Sequence, residues 1–223
     1  MIDTKTAIIF SLLAFFSIPY TAAEELREGL RYQKITTPLK QSVHILEIDP
    51  IQVNIVPAHA FNTALGRETV ANIAKRHKAI AAINGGFFRS GEAVDGLPAG
   101  ILKIQNQWYS IAYRTRGAIG WSNRVHTVLM DRVQTKTTLY LNHQKFPVQA
   151  VNQPSLTNNK TILYTDTYGK EAGSLPGGID IAIQNNRILS LNSFGKTPIP
   201  KGGFVYSIGT NAKYPNRSIE VGN

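Results

Sequence analysis

Residues 84–89 read Asn-Gly-Gly-Phe-Phe-Arg and follow a segment that we expect to be a buried strand. The two glycines, Gly85 and Gly86, would let the backbone approach a ligand and turn N–H groups toward an anion. Arg89 would add a bidentate grip on a phosphate, and Asn84 would hydrogen-bond a sugar hydroxyl or a phosphate oxygen. The same stretch also suits a plain turn whose two phenylalanines, Phe88 among them, fill the core. On residue types alone, the plain turn is the favoured interpretation.

A carboxylate for glycosidic hydrolysis is available close to this stretch. Such hydrolysis normally uses a general acid and a second carboxylate that acts as base or nucleophile. A phosphate leaving group relaxes the need for the acid, because its conjugate acid is already strong. The nearest acids are Glu92 and Asp95, and Asp95 is our candidate for the catalytic base. An Asp-Gly pair such as 95–96 is also typical of a simple turn, so both interpretations stay open.

Arg116 is the second basic candidate for the same pocket. It comes just before a predicted strand at 118–121, and from there its guanidinium would reach a ligand held by Arg89. The alternative is an ordinary surface arginine.

Composition narrows the other possibilities. The formal net charge of +10 favours anionic partners, although a basic surface that only aids solubility explains it equally well. The basic residues are scattered, so we expect no specific nucleic-acid binding. The chain has no cysteine, and its five histidines lack metal-ligand spacing. We therefore expect neither a metal nor a cofactor.

The first 23 residues predict a secretory signal peptide. Lys5 precedes an apolar run at 7–19, and small residues follow up to Ala23, which places the cleavage site before Glu24. The run is shorter than the roughly 20 residues that a membrane-spanning helix needs, so we expect no membrane anchor. The expected location is the periplasm or the exterior, with one domain over 24–223.

The remaining pattern predicts an α+β fold of mostly antiparallel sheets with one main helix near 69–78. Thr69 would cap that helix, because apolar residues then recur at helical spacing. Hairpins are expected around Asn106, around Asn142 and at 185–186, since asparagine tolerates the positive φ of tight turns. Strands are predicted at 43–48, 52–56, 79–83, 101–104, 108–112, 118–121, 125–129, 137–141, 161–164, 179–183, 187–191 and 204–208.

The string at 81–88, Ala-Ala-Ile-Asn-Gly-Gly-Phe-Phe, resembles the signature of the phosphodiester glycosidase family, to which the uncovering enzyme, N-acetylglucosamine-1-phosphodiester alpha-N-acetylglucosaminidase, belongs. Similar agreement extends over 43–50, 68–74, 98–101, 116–120, 152–154, 163–165 and 168–169. The resemblance implies an exported hydrolase of sugar-1-phosphodiesters in envelope or extracellular glycans, and it favours the functional interpretation of the 84–89 turn. Our candidates for catalysis are then Asp95, Asn84 and Arg89, and our candidates for substrate binding are Gly85, Gly86, Phe88 and Arg116. Asn152 and Tyr164 resemble family positions that line the cleft, and they complete the substrate-binding set. Asn152 is equally well interpreted as a turn former, and Tyr164 is equally well interpreted as a core aromatic.

Family members continue into a C-terminal part with an Asp-Gly-Gly-Gly-Ser motif, which this sequence, ending at Asn223, does not contain. The resemblance thus implies a domain without its C-terminal part. Whether the chain is an enzyme stays open: the alternatives are a non-catalytic protein that binds phosphorylated sugars or anionic glycans, and a truncated inactive homologue. A strand edge left exposed would favour a homodimer.

Overall fold

The computed structural model describes residues 22–141, 143–154, 157–173, 175, 177–193 and 196–212. The predicted leader, apart from its last two residues, and the turn residue Asn142 lie outside these ranges. No helix within them is long and apolar enough to cross a membrane.

The described residues contain fourteen strands, one α-helix and one short 3-10 segment. The strands are β1 (Glu24–Arg27), β2 (Leu30–Thr36), β3 (Ser42–Ile48), β4 (Leu102–Ile104), β5 (Gln107–Ser110), β6 (Arg116–Ser122), β7 (Thr127–Val133), β8 (Thr137–Leu141), β9 (Gln144–Val148), β10 (Ala150–Val151), β11 (Thr161–Thr165), β12 (Ile179–Gln184), β13 (Arg187–Asn192) and β14 (Phe204–Ile208). The helix α1 is Val70–Arg76, and the 3-10 segment is Ala60–Asn62. The predicted α+β class with mostly antiparallel sheets is confirmed.

The chain divides into two compact units. The first contains the described residues up to Ile55 together with Trp121–Thr127. The second contains Val56–Gly120 and the described residues from Val128 onward. This division does not test whether 24–223 is a single domain, which stays a prediction.

The first unit is built on a three-stranded antiparallel sheet in the order β1-β2-β3. The longest pairing joins β2 to β3, from Leu30 opposite Ile48 to Thr36 opposite Ser42. The Trp121 indole N–H donates to the Ile55 carbonyl oxygen at 2.6 Å, which ties the 121–127 segment to the end of residues 22–55.

The second unit contains a five-stranded sheet in the order β10-β11-β14-β12-β13. The β10-β11 pair is parallel and the other pairs are antiparallel. Two hairpins, β4-β5 and β8-β9, accompany this sheet. β6 and β7 form a further two-stranded sheet, whose residues are divided between the two units.

Both faces of the five-stranded sheet are covered. Successive side chains of a strand point to opposite faces, and along β12 and β14 neighbouring residues belong to different buried clusters. Ile181 and Tyr206 pack in one cluster with Phe146 of β9, whereas Ala182 and Val205 pack in another. The buried clusters on the two faces place this sheet at the centre of the core of the second unit.

The helix α1 begins and ends close to its predicted bounds. The Thr69 hydroxyl accepts a hydrogen bond from the Asn72 N–H at 3.2 Å, which is the capping interaction that the sequence predicts. The helix ends at Arg76, two residues before Lys78. The Arg76 guanidinium bonds the Glu68 carboxylate at 2.8 Å and the His59 carbonyl oxygen at 3.0 Å, so it fastens the helix to the preceding loop.

Two predicted strands are wrong. Residues 79–83 form no strand and are exposed. Residues 52–56 leave a turn and continue as irregular chain, where the Asn123 amide, not a neighbouring strand, bonds Ile55. A strand exists only where another strand completes its hydrogen bonds, and neither run has such a partner among the described residues. The strands β1, β2 and β10 were not predicted, whereas β9 is the second arm of the hairpin predicted around Asn142.

Candidate functional site

The backbone of Arg89 is fixed by a short antiparallel pairing between residues 87–89 and 97–99. Its N–H donates to the Leu97 carbonyl oxygen at 2.8 Å, and its carbonyl accepts from the Gly96 N–H at 2.9 Å. One residue earlier, Phe88 forms an isolated bridge with Pro98. Because both backbone groups of Arg89 are bonded, its side chain leaves from a defined position although the residue itself is exposed.

Gly96 makes this pairing possible. Its φ is +79°, in the region where residues with a side chain are strained. A Cβ built on Gly96 would lie 1.8 Å from the Gly66 carbonyl oxygen, so only glycine fits. The Gly66 N–H in turn donates to the Asp95 carbonyl oxygen at 2.7 Å, which brings the two loops together.

A second segment, residues 110–116, faces the same space from another direction. The Ser110 hydroxyl donates to the Gly100 carbonyl oxygen at 2.6 Å. The Thr135 hydroxyl bonds both backbone groups of Ala112, at 3.0 and 2.9 Å, and the Gln134 amide donates to the Tyr113 carbonyl oxygen at 2.9 Å. These bonds set the position of Tyr113 and the two arginines that follow it.

The two segments enclose a cavity of about 220 Å³. Three arginines line it, namely Arg89, Arg114 and Arg116, and Tyr113 and Gln153 are the principal neutral polar residues beside them. No lining residue is a carboxylate. Within the described ranges, none of the three guanidiniums has an ion-pair partner, whereas Arg31, Arg67 and Arg76 each bind an acidic side chain.

The electrostatics of this cavity suit an anion. Guanidinium groups give bidentate, charge-assisted hydrogen bonds to phosphate or carboxylate oxygens. Partial burial raises the pKa of Tyr113 to about 12, against the opposing effect of a backbone hydrogen bond and of the Arg89 charge. Like an ordinary tyrosine, the phenol is protonated at neutral pH and is a hydrogen-bond donor. Every charged group that lines the cavity is positive.

The structure brings together two of the predicted site residues, Arg89 and Arg116, which line the same cavity. Asn84, Gly85, Gly86 and Phe88 are exposed and are not among its lining residues. A Cβ added to either glycine would meet nothing within 4 Å, so the pair is not packed in a core. The plain-turn interpretation with buried rings is wrong, since Phe88 is 54% exposed and the residue before it 89%. The predicted roles of these four residues in catalysis or binding stay predictions.

Asp95, the predicted base, lies on the loop beside the cavity. Its carboxylate accepts a hydrogen bond from the Arg67 guanidinium at 2.8 Å, and it is not among the residues that line the cavity. Its role as a base stays a prediction.

Asn152 is fully buried and bonded within the protein. Its amide nitrogen lies 2.9 Å from the Trp108 carbonyl oxygen and 2.8 and 2.9 Å from the hydroxyls of Thr165 and Thr167. Its amide oxygen accepts from the Thr165 N–H at 2.8 Å. Asn152 has a φ of +53°, so it also makes a turn after β10. Of the two interpretations left open by the sequence, the turn former describes this placement.

Tyr164 is likewise a core residue. It is fully buried, and its hydroxyl donates to the Gly173 carbonyl oxygen at 2.7 Å. Burial raises its pKa far above the usual range, with the neighbouring Tyr168 adding to the effect. Of the two interpretations of Tyr164, substrate-binding residue or core aromatic, this placement matches the core aromatic.

Of the residues that line the cavity, sequence reasoning found only Arg89 and Arg116; the most consequential polar residues that it missed are Tyr113, Arg114 and Gln153. A signal for two of them was present, because Arg114 stands two positions before Arg116 and Gln153 directly follows Asn152. Nothing in the sequence singles out Tyr113. In the described part of the chain, no group of three or more His, Asp or Glu residues could hold a metal ion.

No model of a known protein family matches this chain, and no curated protein matches it. Solved structures do. A hypothetical protein from Synechocystis superposes with a TM-score of 0.74 at 22% identity, over 92% of this chain and 40% of that one. A "Putative exported protein" from Burkholderia pseudomallei superposes with a TM-score of 0.61 at 18% identity, over 82% of this chain and 42% of that one. These likenesses show a shared fold, and the chain spans about two fifths of the length of each structure.

Proposed function

We propose that this chain binds the phosphoryl group of a phosphorylated sugar or anionic glycan outside the cytoplasm. The observation that carries the proposal is the convergence of Arg89, Arg114 and Arg116 on one cavity with no carboxylate in its lining. An exposed guanidinium is hydrated in solution, and a phosphate exchanges that water for charge-assisted hydrogen bonds. The net charge of +10 favours the approach of such a ligand.

Hydrolysis of a sugar-1-phosphodiester is the second candidate function. In that reaction water adds to the anomeric carbon, the bond from that carbon to the phosphate oxygen breaks, and the phosphate monoester leaves with the bonding electrons. The arginines favour it, because they would stabilise the negative charge that develops on the leaving phosphate. Asp95 is the available base, and it would have to exchange its contact with Arg67 for a water molecule.

Calorimetric titration with inorganic phosphate and with α-N-acetylglucosamine 1-phosphate tests the binding proposal. Replacing Arg89 or Arg116 by methionine removes the charge and keeps the aliphatic stem. A hydrogen bond to a charged group is worth about 1.5–3 kcal/mol, so each variant should bind about ten- to hundredfold more weakly. Binding should also weaken as salt is raised.

Arg187→Met is the matched control, because Arg187 is exposed at the start of β13 and does not line the cavity. It should bind phosphate as the unaltered protein does. If Arg187→Met weakens binding as much as Arg89→Met, the affinity comes from net charge and the proposed site is wrong. If no phosphate compound binds, the proposal fails.

Turnover separates the two candidate functions. Incubation with a panel of sugar-1-phosphodiesters should release free sugar if the chain is a hydrolase, and that release should be lost in Asp95→Asn. Binding without release favours the binding protein. Export rests on the leader-like pattern at 1–23, and a mature N-terminus at Glu24, measured by mass spectrometry after bacterial expression, is the result expected of it.

A further inference from the structure

A second cavity, of about 300 Å³, lies next to the arginine-lined one. The two cavities share two lining residues, Ile111 and Tyr113. Small-molecule sites usually enclose about 300–1,000 Å³. Each cavity alone is at or below the lower end of that range, whereas the two together lie well inside it. The size favours one ligand that occupies both.

Tyr113 stands where the two cavities meet, and its backbone is fixed by bonds from Gln134 and, through Ala112, from Thr135. The phenol ring offers an apolar face, and its hydroxyl is protonated at neutral pH, as that of an ordinary tyrosine is, so it can donate a hydrogen bond. A fixed ring with one polar end suits the junction between a charged group and a neutral one.

The second cavity differs from the first in its chemistry. It has neither an arginine nor a carboxylate, and its polar residues include Lys136, Thr137 and Thr138. Thr137 and Thr138 are consecutive on β8, so only one of their side chains can face the cavity. Thr137 shares its face with Leu139, which packs against the cluster that contains the lining residues Ile111 and Val148. Among the described residues, no hydrogen bond engages the side chain of Lys136 or of Thr137, so both are available to a ligand. The remaining wall includes Pro147 and the buried Val148. A hydroxyl and a lysine ammonium beside an apolar wall can hydrogen-bond an uncharged ring that carries several hydroxyl groups.

We infer that the second cavity is a subsite for a neutral sugar unit joined to the phosphorylated one, with Tyr113 at the junction. The ligand of the proposed function is then a phosphorylated oligosaccharide or glycan chain rather than a phosphorylated monosaccharide. This inference rests on the proposed function, because the arginine-lined cavity must hold the phosphoryl group.

Matched ligand pairs test the subsite by calorimetry: α-glucose 1-phosphate against α-maltose 1-phosphate, and N-acetylglucosamine 1-phosphate against chitobiose 1-phosphate. Within a pair, the phosphate is the same and one neutral sugar is added. Two net hydrogen bonds at about 1 kcal/mol each correspond to at least tenfold tighter binding of the disaccharide in one pair or both.

The double variant Lys136→Met/Thr137→Val removes two polar groups of the second cavity and keeps the side-chain sizes. It should abolish the preference for the disaccharide while inorganic phosphate binds as before. Lys145→Met is the control, since Lys145 is an exposed lysine on β9 that lines neither cavity. It should keep the preference.

The possible results distinguish failure of the subsite from failure of the proposed function. Phosphate binding with equal affinity for both members of each pair overturns the subsite and leaves the proposed function standing. A preference that survives in the double variant also overturns the subsite. Failure of inorganic phosphate and of all four sugar phosphates to bind overturns the proposed function and the subsite with it.

Discussion

Replacing Asn152 by alanine should remove a large part of the stability of the second unit. The side chain is fully buried, and its amide can donate two hydrogen bonds and accept one with the partners around it. At about 1 kcal/mol net for each of three bonds, their loss costs about 3 kcal/mol. Alanine also has to adopt the φ of +53°, which adds about 1–2 kcal/mol. The expected loss is therefore about 4–5 kcal/mol, against a typical total of about 5–15 kcal/mol.

Asn152→Gly separates the two contributions. Glycine adopts a positive φ without strain, so this variant should lose about 3 kcal/mol, the share that belongs to the hydrogen bonds. Urea denaturation followed by circular dichroism and by tryptophan fluorescence measures both variants. If Asn152→Ala is too unstable to purify, the glycine variant still gives the hydrogen-bond share.

The structural role of Asn152 would be refuted by a particular pair of results. These are a loss of stability below about 1 kcal/mol in both variants, together with a loss of phosphate affinity. That outcome would assign Asn152 to the ligand, as the sequence resemblance implies, and would mean that its amide is not held as the structure shows.

Two further predictions concern the loop under Arg89 and the buried phenols. Gly96→Ala should destabilise the protein by about 2–4 kcal/mol in urea denaturation and should weaken phosphate binding, because its Cβ would displace the Gly66 carbonyl. Gly91→Ala is the control: its φ is also positive, but its Cβ would have 3.8 Å of room, so it should show the backbone strain alone. Equal effects of the two variants would contradict the steric argument. Burial raises the pKa of Tyr206 to about 12, so the folded state keeps this proton while the unfolded state loses it, and stability should fall as pH rises from about 10 to 12. In urea titrations between pH 9 and 12, Tyr206→Phe should make this fall in stability shallower, whereas Tyr140→Phe, at an exposed tyrosine, should leave it unchanged. An unchanged fall in Tyr206→Phe would contradict the assignment of the pH dependence to Tyr206.

Local features of the fold were predictable because neighbouring residues determine them. Thr69 caps α1, and the φ values of Asn106, Asn185 and Asn186 are +66°, +51° and +59°, as the predicted turns require. The run at 79–83 has the composition of a strand, but composition does not show whether a pairing partner exists.

The site was predictable only in part. Arg89 follows an expected turn and Arg116 precedes an expected strand, so local sequence alone made both of them candidates. The cavity, however, is assembled from four separate stretches, around residues 89, 97–99, 110–116 and 151–153. Their meeting depends on long-range contacts, such as that of Gly96 with Gly66, which no local pattern contains.

The strand order of the large sheet has a consequence for how this protein is made. β14 comes last among the described strands, yet it lies in the middle of the sheet, between β11 and β12. Until the ribosome has released residues 204–208, the earlier strands β10-β11 and β12-β13 have nothing to join them. Until β14 is available, the two incomplete half-sheets must be kept from pairing with other chains, and this is the period when binding by a chaperone would matter most.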